Sequence, residues 1–233
     1  MILRWEAPGP YAIAFSSRQG GVSEGRYASL NLGLLTGDDP ERVGENRRLL
    51  CEEVGAKPER LALNRQVHGP IVRRAEAGDR GAHADGLWTD EPGVPLLAMT
   101  ADCLPVAVVR LTGARSADSP GLAVLHVGWR GLLDGVIANG VEAVGGRLAA
   151  AIGPGIGPCC YEVGPEVASR FDADLLSGGK LDLWAAAERA LRAAGVAEVE
   201  RSDLCTSCHP DLFFSHRRDQ GDTGRQGVIG LVT

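Results

Sequence analysis

Lysine is almost absent from this 233-residue sequence: Lys57 and Lys180 are the only two among 24 basic side chains, and the rest are arginine. A GC-rich coding sequence accounts for such a bias, so it carries no functional meaning by itself. Histidine is scarce too, at five residues, which caps the imidazoles that any metal site can draw on. No apolar run reaches the roughly 20 residues that a membrane-spanning helix needs. The segment Met1 to Phe15 has neither a basic start followed by a long apolar stretch nor a small-residue cleavage site. The expectation is therefore a cytoplasmic protein with no membrane partner. A formal charge of −6 argues against a chain whose main task is to coat nucleic acid. In a reducing compartment the six cysteines are not a disulfide framework. Each is a core residue, a reactive thiol or a metal ligand.

What is present fits one domain spanning residues 1–233. Hydrophobic residues make up 44% of the chain, enough for a substantial core, and no repeat or Pro/Gly/Ser linker divides it. A domain of this size folds without a partner, as a monomer or a small homo-oligomer. Strand patterns cover Tyr11 to Ser16, Leu61 to His68, Val72 to Ala75, Val94 to Thr100, Val106 to Leu111, Leu122 to Val127 and Ala149 to Ile152. Asp38-Asp39-Pro40 opens a helix with Val43, Leu49, Leu50 and Val54 at helical spacing, stopped by Gly55. Leu132, Val136, Val141, Val144 and Leu148 outline a second helix, and Asp182 to Ala194 a third. Leu212 to Arg217 and Gly227 to Val232 read as a closing hairpin. Strands and helices alternate without a strict βαβ rhythm, so the fold class is α/β (α+β), a mixed sheet covered by helices.

Two of the strongest buried-strand patterns end at a metal-ligand type, Cys103 and His126, and a shorter one ends at His68. Strand ends feeding glycine-rich turns are where rigid scaffolds present functional groups. Two imidazoles and a thiolate suit zinc and leave a fourth position open, as a catalytic site requires. The alternatives are ordinary ones, a hydrogen-bonded core histidine and a cysteine acting as a small hydrophobe. Cys205-x-x-Cys208-His209 has the spacing of a c-type haem attachment, which an unexported protein does not use, and of half a zinc site that lacks a second CxxC. Cys159-Cys160 reads as packing. Arg130 follows the His126 strand, Arg18 lies in a glycine turn, and their forks suit phosphate or carboxylate. Asp85 and Asp102 are candidate acids, bases or partners that orient a ligand histidine.

Several blocks stand in a recognisable order: Arg18-x-Gly20-Gly21-Val22-Ser23, Ser29-Leu30-Asn31, His68-Gly69, Ala84-Asp85-Gly86, Thr100-Ala101-Asp102-Cys103, and His126-Val127-Gly128-Trp129-Arg130-Gly131. Gly153 to Gly157, Cys205-Thr206, and Phe213-Phe214-Ser215 through Arg217-Arg218 complete them. Together they resemble the laccase-domain (YfiH-type) family, described as purine nucleoside phosphorylases, along essentially the whole chain. His216, where relatives often carry Tyr, is a minor departure. The resemblance implies a single α/β domain with zinc on His68, Cys103 and His126; copper is the conceivable substitute. It also implies phosphorolysis of adenosine, inosine, guanosine and S-methyl-5'-thioadenosine, with some adenosine deamination. Purine nucleosides and phosphate would be the small-molecule partners. A multicopper oxidase needs a mononuclear copper and a trinuclear cluster, hence many imidazoles, and five histidines are too few.

In that reading a metal lowers the pKa of water for deamination. For phosphorolysis, Arg130 with Arg18 and Asn31 would hold substrate, and Asp85 or Asp102 would manage the proton on the leaving purine. One rival is a metal-independent hydrolase with Cys103 as nucleophile and His126 as base, acting on a peptidoglycan precursor. The other is a purine-binding protein without turnover.

Overall fold

The apolar runs of the middle of the chain become strands buried on both faces, which is why they lack polar alternation. The computed structural model describes residues 2–112 and 119–233. In chain order the first strands are β1 (Ile2–Trp5), β2 (Tyr11–Ser16), β3 (Ala62–Arg65), β4 (Val72–Arg74), β5 (Arg80–His83), β6 (Gly86–Thr89) and β7 (Leu96–Thr100). After them come β8 (Leu104–Arg110), β9 (Leu122–Val127), β10 (Leu148–Ile152), the short pair β11 (Leu176–Ser177) and β12 (Lys180–Leu181), β13 (Glu198–Arg201) and β14 (Gln226–Val232). The α-helices are α1 (Pro40–Glu53), α2 (Trp129–Leu133), α3 (Val136–Val144), α4 (Pro165–Ala168) and α5 (Leu183–Ala193).

The mixed sheet covered by helices is present twice. One six-stranded sheet runs β1-β2-β14-β7-β3-β5 and the other β13-β10-β8-β9-β6-β4, each with parallel and antiparallel pairs. Alternate side chains divide the core into layers. Ile13 and Phe15 of the first sheet meet Ala107, Val109, Leu122 and Val124 of the second in the space between them. Val106, Val108, Ala123 and Leu125 point outward beneath Val136 and Ile137 of α3 and Leu183 and Leu191 of α5. On the far side, Leu50, Cys51 and Val54 of α1 cover Ala14, Leu97 and Ile229. Fully burying one such Val or Leu stabilises by about 1.5–3 kcal/mol, so this core does not depend on any single polar residue at the sandwich rim. No described helix is long and apolar enough to cross a membrane.

The structure departs from the sequence-based expectations in a few places. The helix drawn through Leu132 to Leu148 is two helices, because Gly135 has φ 97° between α2 and α3, and Leu148 already belongs to β10. The closing hairpin does not form. Residues Leu212 to Arg217 lie in turns, and Gln226 substitutes for a ladder there: the Phe214 N–H donates to its Oε1 at 2.8 Å, and its Nε2 donates to the Phe214 carbonyl at 3.0 Å. The final strand β14 instead sits between β2 and β7. Strands β1, β5, β6 and β13 and the short pair β11 and β12 were not anticipated; the first four are four residues each, and β5 and β13 are largely exposed.

Candidate metal centre

Four chain segments meet at one rim of the sandwich. The turn from β7 to β8 passes from one sheet to the other and carries Cys103; His126 is the fifth residue of β9; His68 lies in the loop after β3. The ligand atoms of His68, Cys103 and His126 lie within 4.8 Å of one another. Strand register produces part of this arrangement. The β8–β9 ladder pairs Leu104 with Val127, which sets Cys103 opposite Gly128. The β6–β9 ladder pairs Gly86 with Leu125, and the His126 N–H continues it by donating to the Asp85 carbonyl at 2.7 Å. A Cβ on Gly128 would stand 3.0 Å from Cys103 Sγ and 3.2 Å from His68 Cδ2, so a larger residue there presses both candidate ligands to move by a few tenths of an ångström.

Asp85 organises both histidines. Its carboxylate lies 2.7 Å from His126 Nδ1 and accepts the N–H groups of Val67, His68 and Gly69 at 3.1, 2.8 and 2.8 Å. Nδ1 of His126 is thereby the donor, and its Nε2 lone pair is left for the cluster, the orientation a carboxylate gives a metal-bound imidazole. The same carboxylate pins the loop in which His68 takes φ 61°, a left-handed conformation that a non-glycine residue rarely holds unaided. Burial works against the Asp85 charge, but the His126 contact and the backbone N–H groups outweigh it and hold its pKa down. Burial also opposes ionisation of Cys103, and the adjacent His126 and His68 reverse that and lower the thiol. His126 responds in the opposite sense: desolvation opposes its charge, while Cys103 and Asp85 raise its pKa. Two neutral imidazole nitrogens and a thiolate are the donor set that zinc takes, with room for a fourth ligand.

Asp102 precedes Cys103 and has φ 82°. Its Oδ1 accepts from Thr206 Oγ1 at 2.6 Å and its Oδ2 from the Arg217 N–H at 2.7 Å. Both oxygens are engaged in shaping the turn, and the same holds for the four donors on Asp85. Each aspartate, expected to manage a proton, is held by hydrogen bonds, Asp85 to the His68 loop and His126, and Asp102 to Thr206 and Arg217. Arg130 is exposed at the start of α2, with its guanidinium 4.7 Å from the Trp129 ring centroid. Arg18 differs. Its Nε, Nη1 and Nη2 donate to the carbonyls of Ala28, Pro210 and Arg26 at 2.7, 2.9 and 3.3 Å, and it lies over the Phe214 ring. Asn31 is fully buried, donates to Thr36 and Asp38, and accepts from the N–H groups of Gly33 and Arg225. Both side chains, expected to hold substrate, are engaged in joining loops.

Three residues around the centre escaped the sequence reading in these roles. Arg225 and Tyr161 both feel the charges of Cys103 and Asp102, and Arg217 lies 5.5 Å from the Tyr161 ring centroid. Burial first, then the Cys103 charge, push the Tyr161 phenol up to about 12, so it remains a proton donor at neutral pH. The blocks Cys160-Tyr161-Glu162 and Arg217-Arg218 were visible, but nothing in their spacing links them to Cys103.

The family model described as multi-copper polyphenol oxidoreductase laccase matches residues 12–232. The chain belongs to the laccase-domain (YfiH-type) family. It is 40% identical to the purine nucleoside phosphorylase YlmD of Geobacillus stearothermophilus, over 96% of this chain and 91% of that protein. With the purine nucleoside phosphorylase YfiH of Escherichia coli it shares 36% identity, over 97% and 95%. Its fold matches the crystal structure of a Neisseria meningitidis protein of family DUF152 with a TM-score of 0.87, at 34% identity and covering 99% and 98% of the two chains. The YlmD crystal structure matches with a TM-score of 0.86, covering 100% of this chain and 96% of that one. The copper in the family description does not fit a four-copper oxidase in this chain. Among the described residues only His68 and His126 join a ligand cluster, and each cluster is small enough for one ion.

Proposed function

We propose that this family member is a zinc-dependent purine nucleoside phosphorylase, its metal held by His68, Cys103 and His126. The observation that carries the reading is Asp85, which joins the two histidines of an open three-donor set. Relatives that match along nearly the whole chain and bear the name purine nucleoside phosphorylase support the reaction class. The substrates would be adenosine, inosine, guanosine and S-methyl-5'-thioadenosine, with adenosine deamination as a side reaction. The protein acts in the cytoplasm as one catalytic domain, with no nucleic-acid partner.

In phosphorolysis a phosphate oxygen bonds to ribose C1′ as the bond from C1′ to the purine nitrogen breaks, and the departing base takes a proton. A bound metal supplies Lewis acidity, stabilising charge that develops on substrate. The residues do the rest. Asp85 fixes the histidines, and Asp102 fixes the turn carrying Cys103. Arg130, exposed and without an ion-pair partner among the described residues, offers its fork to phosphate. Tyr161, kept protonated, is the available donor for the leaving purine.

Incubation with adenosine, with and without phosphate, followed by chromatography, tests the reaction. Phosphate-dependent release of adenine and ribose 1-phosphate is expected; binding without product would leave only a purine-binding protein. A second reading rests on a specific contact: Cys103, His126 and Asp85 also have the nucleophile–base–orienter order of a cysteine hydrolase, such as one cleaving a peptidoglycan precursor. That activity would survive chelation.

A further inference from the structure

The other four cysteines of the described chain, apart from Cys51 in the core, also converge. Cys159 and Cys160 lie in the turn after β10, and Cys205 and Cys208 in the segment after β13. Their four sulfurs all lie within 4.8 Å of one another, with Cys208 Sγ at 3.4 Å from Cys159 and 3.3 Å from Cys160, and none is in a disulfide. The missing half of the CxxC site is thus supplied from 45 residues away, by the adjacent pair that reads as packing in the sequence. The geometry suits a single ion. Zinc–sulfur bonds of about 2.3 Å put the edge of a tetrahedron of thiolates at about 3.8 Å. The two Cys208 separations fall a few tenths of an ångström short of that edge, and all four sulfurs stay within 4.8 Å of one another.

Further observations point the same way. The Gly157 N–H donates to Cys205 Sγ at 3.3 Å, a contact that stabilises a thiolate. The backbone that carries the cluster is tied together by its own bonds: Gly155 and Cys205 form a β-bridge, with Thr206 N–H donating to the Gly155 carbonyl at 3.1 Å. Cys159 and Cys208 are exposed, which leaves a path for entry.

We propose that Cys159, Cys160, Cys205 and Cys208 form a second zinc site, closed by four protein thiolates and therefore structural. With no open position it does no chemistry of its own. It clamps the segment after β13 onto the turn after β10. From that clamp Thr206 reaches Asp102 Oδ1 at 2.6 Å, one residue from Cys103, so the cluster braces the turn that presents the Cys103 thiol. The inference does not rest on the nucleoside reading.

Elemental analysis of protein purified under reducing conditions from zinc-containing medium tests it. Two zinc ions per chain are expected in the wild type and one in C205S/C208S. The double variant H68A/H126A, which leaves the thiolate cluster intact, is expected to keep one. Cobalt substitution of H68A/H126A should give the intense thiolate-to-cobalt charge-transfer absorption of a four-sulfur site. One zinc in the wild type with none in H68A/H126A would overturn the proposal. So would an intact mass lower by two hydrogens with these cysteines linked, or H68A/H126A lacking the cobalt band. Should C205S/C208S fail to fold, H68A/H126A alone decides.

Discussion

The chain gathers sulfur at two places, and the surroundings of the sulfur differ. Cys103 stands alone between two histidines, one of them oriented by the buried Asp85, on a rim where two sheets exchange a strand connection. Cys159, Cys160, Cys205 and Cys208 have only each other, on two turns joined by a backbone bridge. Three mixed donors leave a coordination position for substrate, and a carboxylate behind an imidazole tunes its basicity. Four thiolates leave none. On the two proposals above, the comparison teaches that reactivity comes from an incomplete donor set and a held orientation, whereas a complete set holds loops together.

Removing a ligand from the open site is the harshest way to break that contrast. His126→Ala is expected to lower kcat/KM for adenosine by roughly a thousandfold or more, since a catalytic metal contributes several kcal/mol. Bound metal should fall by one ion per chain while the fold, measured by circular dichroism, survives. Asp85→Asn keeps the size but turns an N–H₂ toward backbone N–H donors; a loss of about 10–100-fold in metal affinity or activity is expected. An Asp85→Asn enzyme with full metal affinity would refute its orienting role. Arg130→Ala should raise the KM for phosphate about 10–100-fold, the value of a charge-assisted hydrogen bond, and leave the KM for nucleoside nearly unchanged. An unchanged phosphate dependence would remove Arg130 from this role. Gly128→Ala is the mildest probe. Its methyl group forces Cys103 or His68 to shift, and a cost of about 1–3 kcal/mol should weaken metal binding at the open site roughly tenfold. The four-thiolate cluster should be untouched, which a metal titration reads directly.

Much of this arrangement was legible before the structure. Buried strands such as Leu122–Val127 announce themselves as apolar runs, and a ligand type at the end of each suggests a cleft. The N-terminus of α1 was marked by Asp39, whose side chain caps the Glu41 N–H at 2.8 Å. What stayed hidden depends on contacts between distant segments. Neither Cys159-Cys160 nor Cys205-x-x-Cys208 is a site alone, and their union is set by tertiary pairing. Arg18 and Asn31 lie in motif blocks as the candidate ligands do, yet their polar atoms satisfy loop backbone and buried side chains; a place in a motif block does not separate the two roles. The strands β5 and β6 are too short and too glycine-rich to show periodicity, although Asp85 sits between them and connects both ligand histidines.

The most direct test of a metal-dependent phosphorylase at His68, Cys103 and His126 is adenosine turnover in phosphate buffer before chelation, after it, and after zinc is restored. Adenine and ribose 1-phosphate should form in the first and third samples and not in the second. Undiminished product from a sample shown by elemental analysis to have lost the metal would contradict the account.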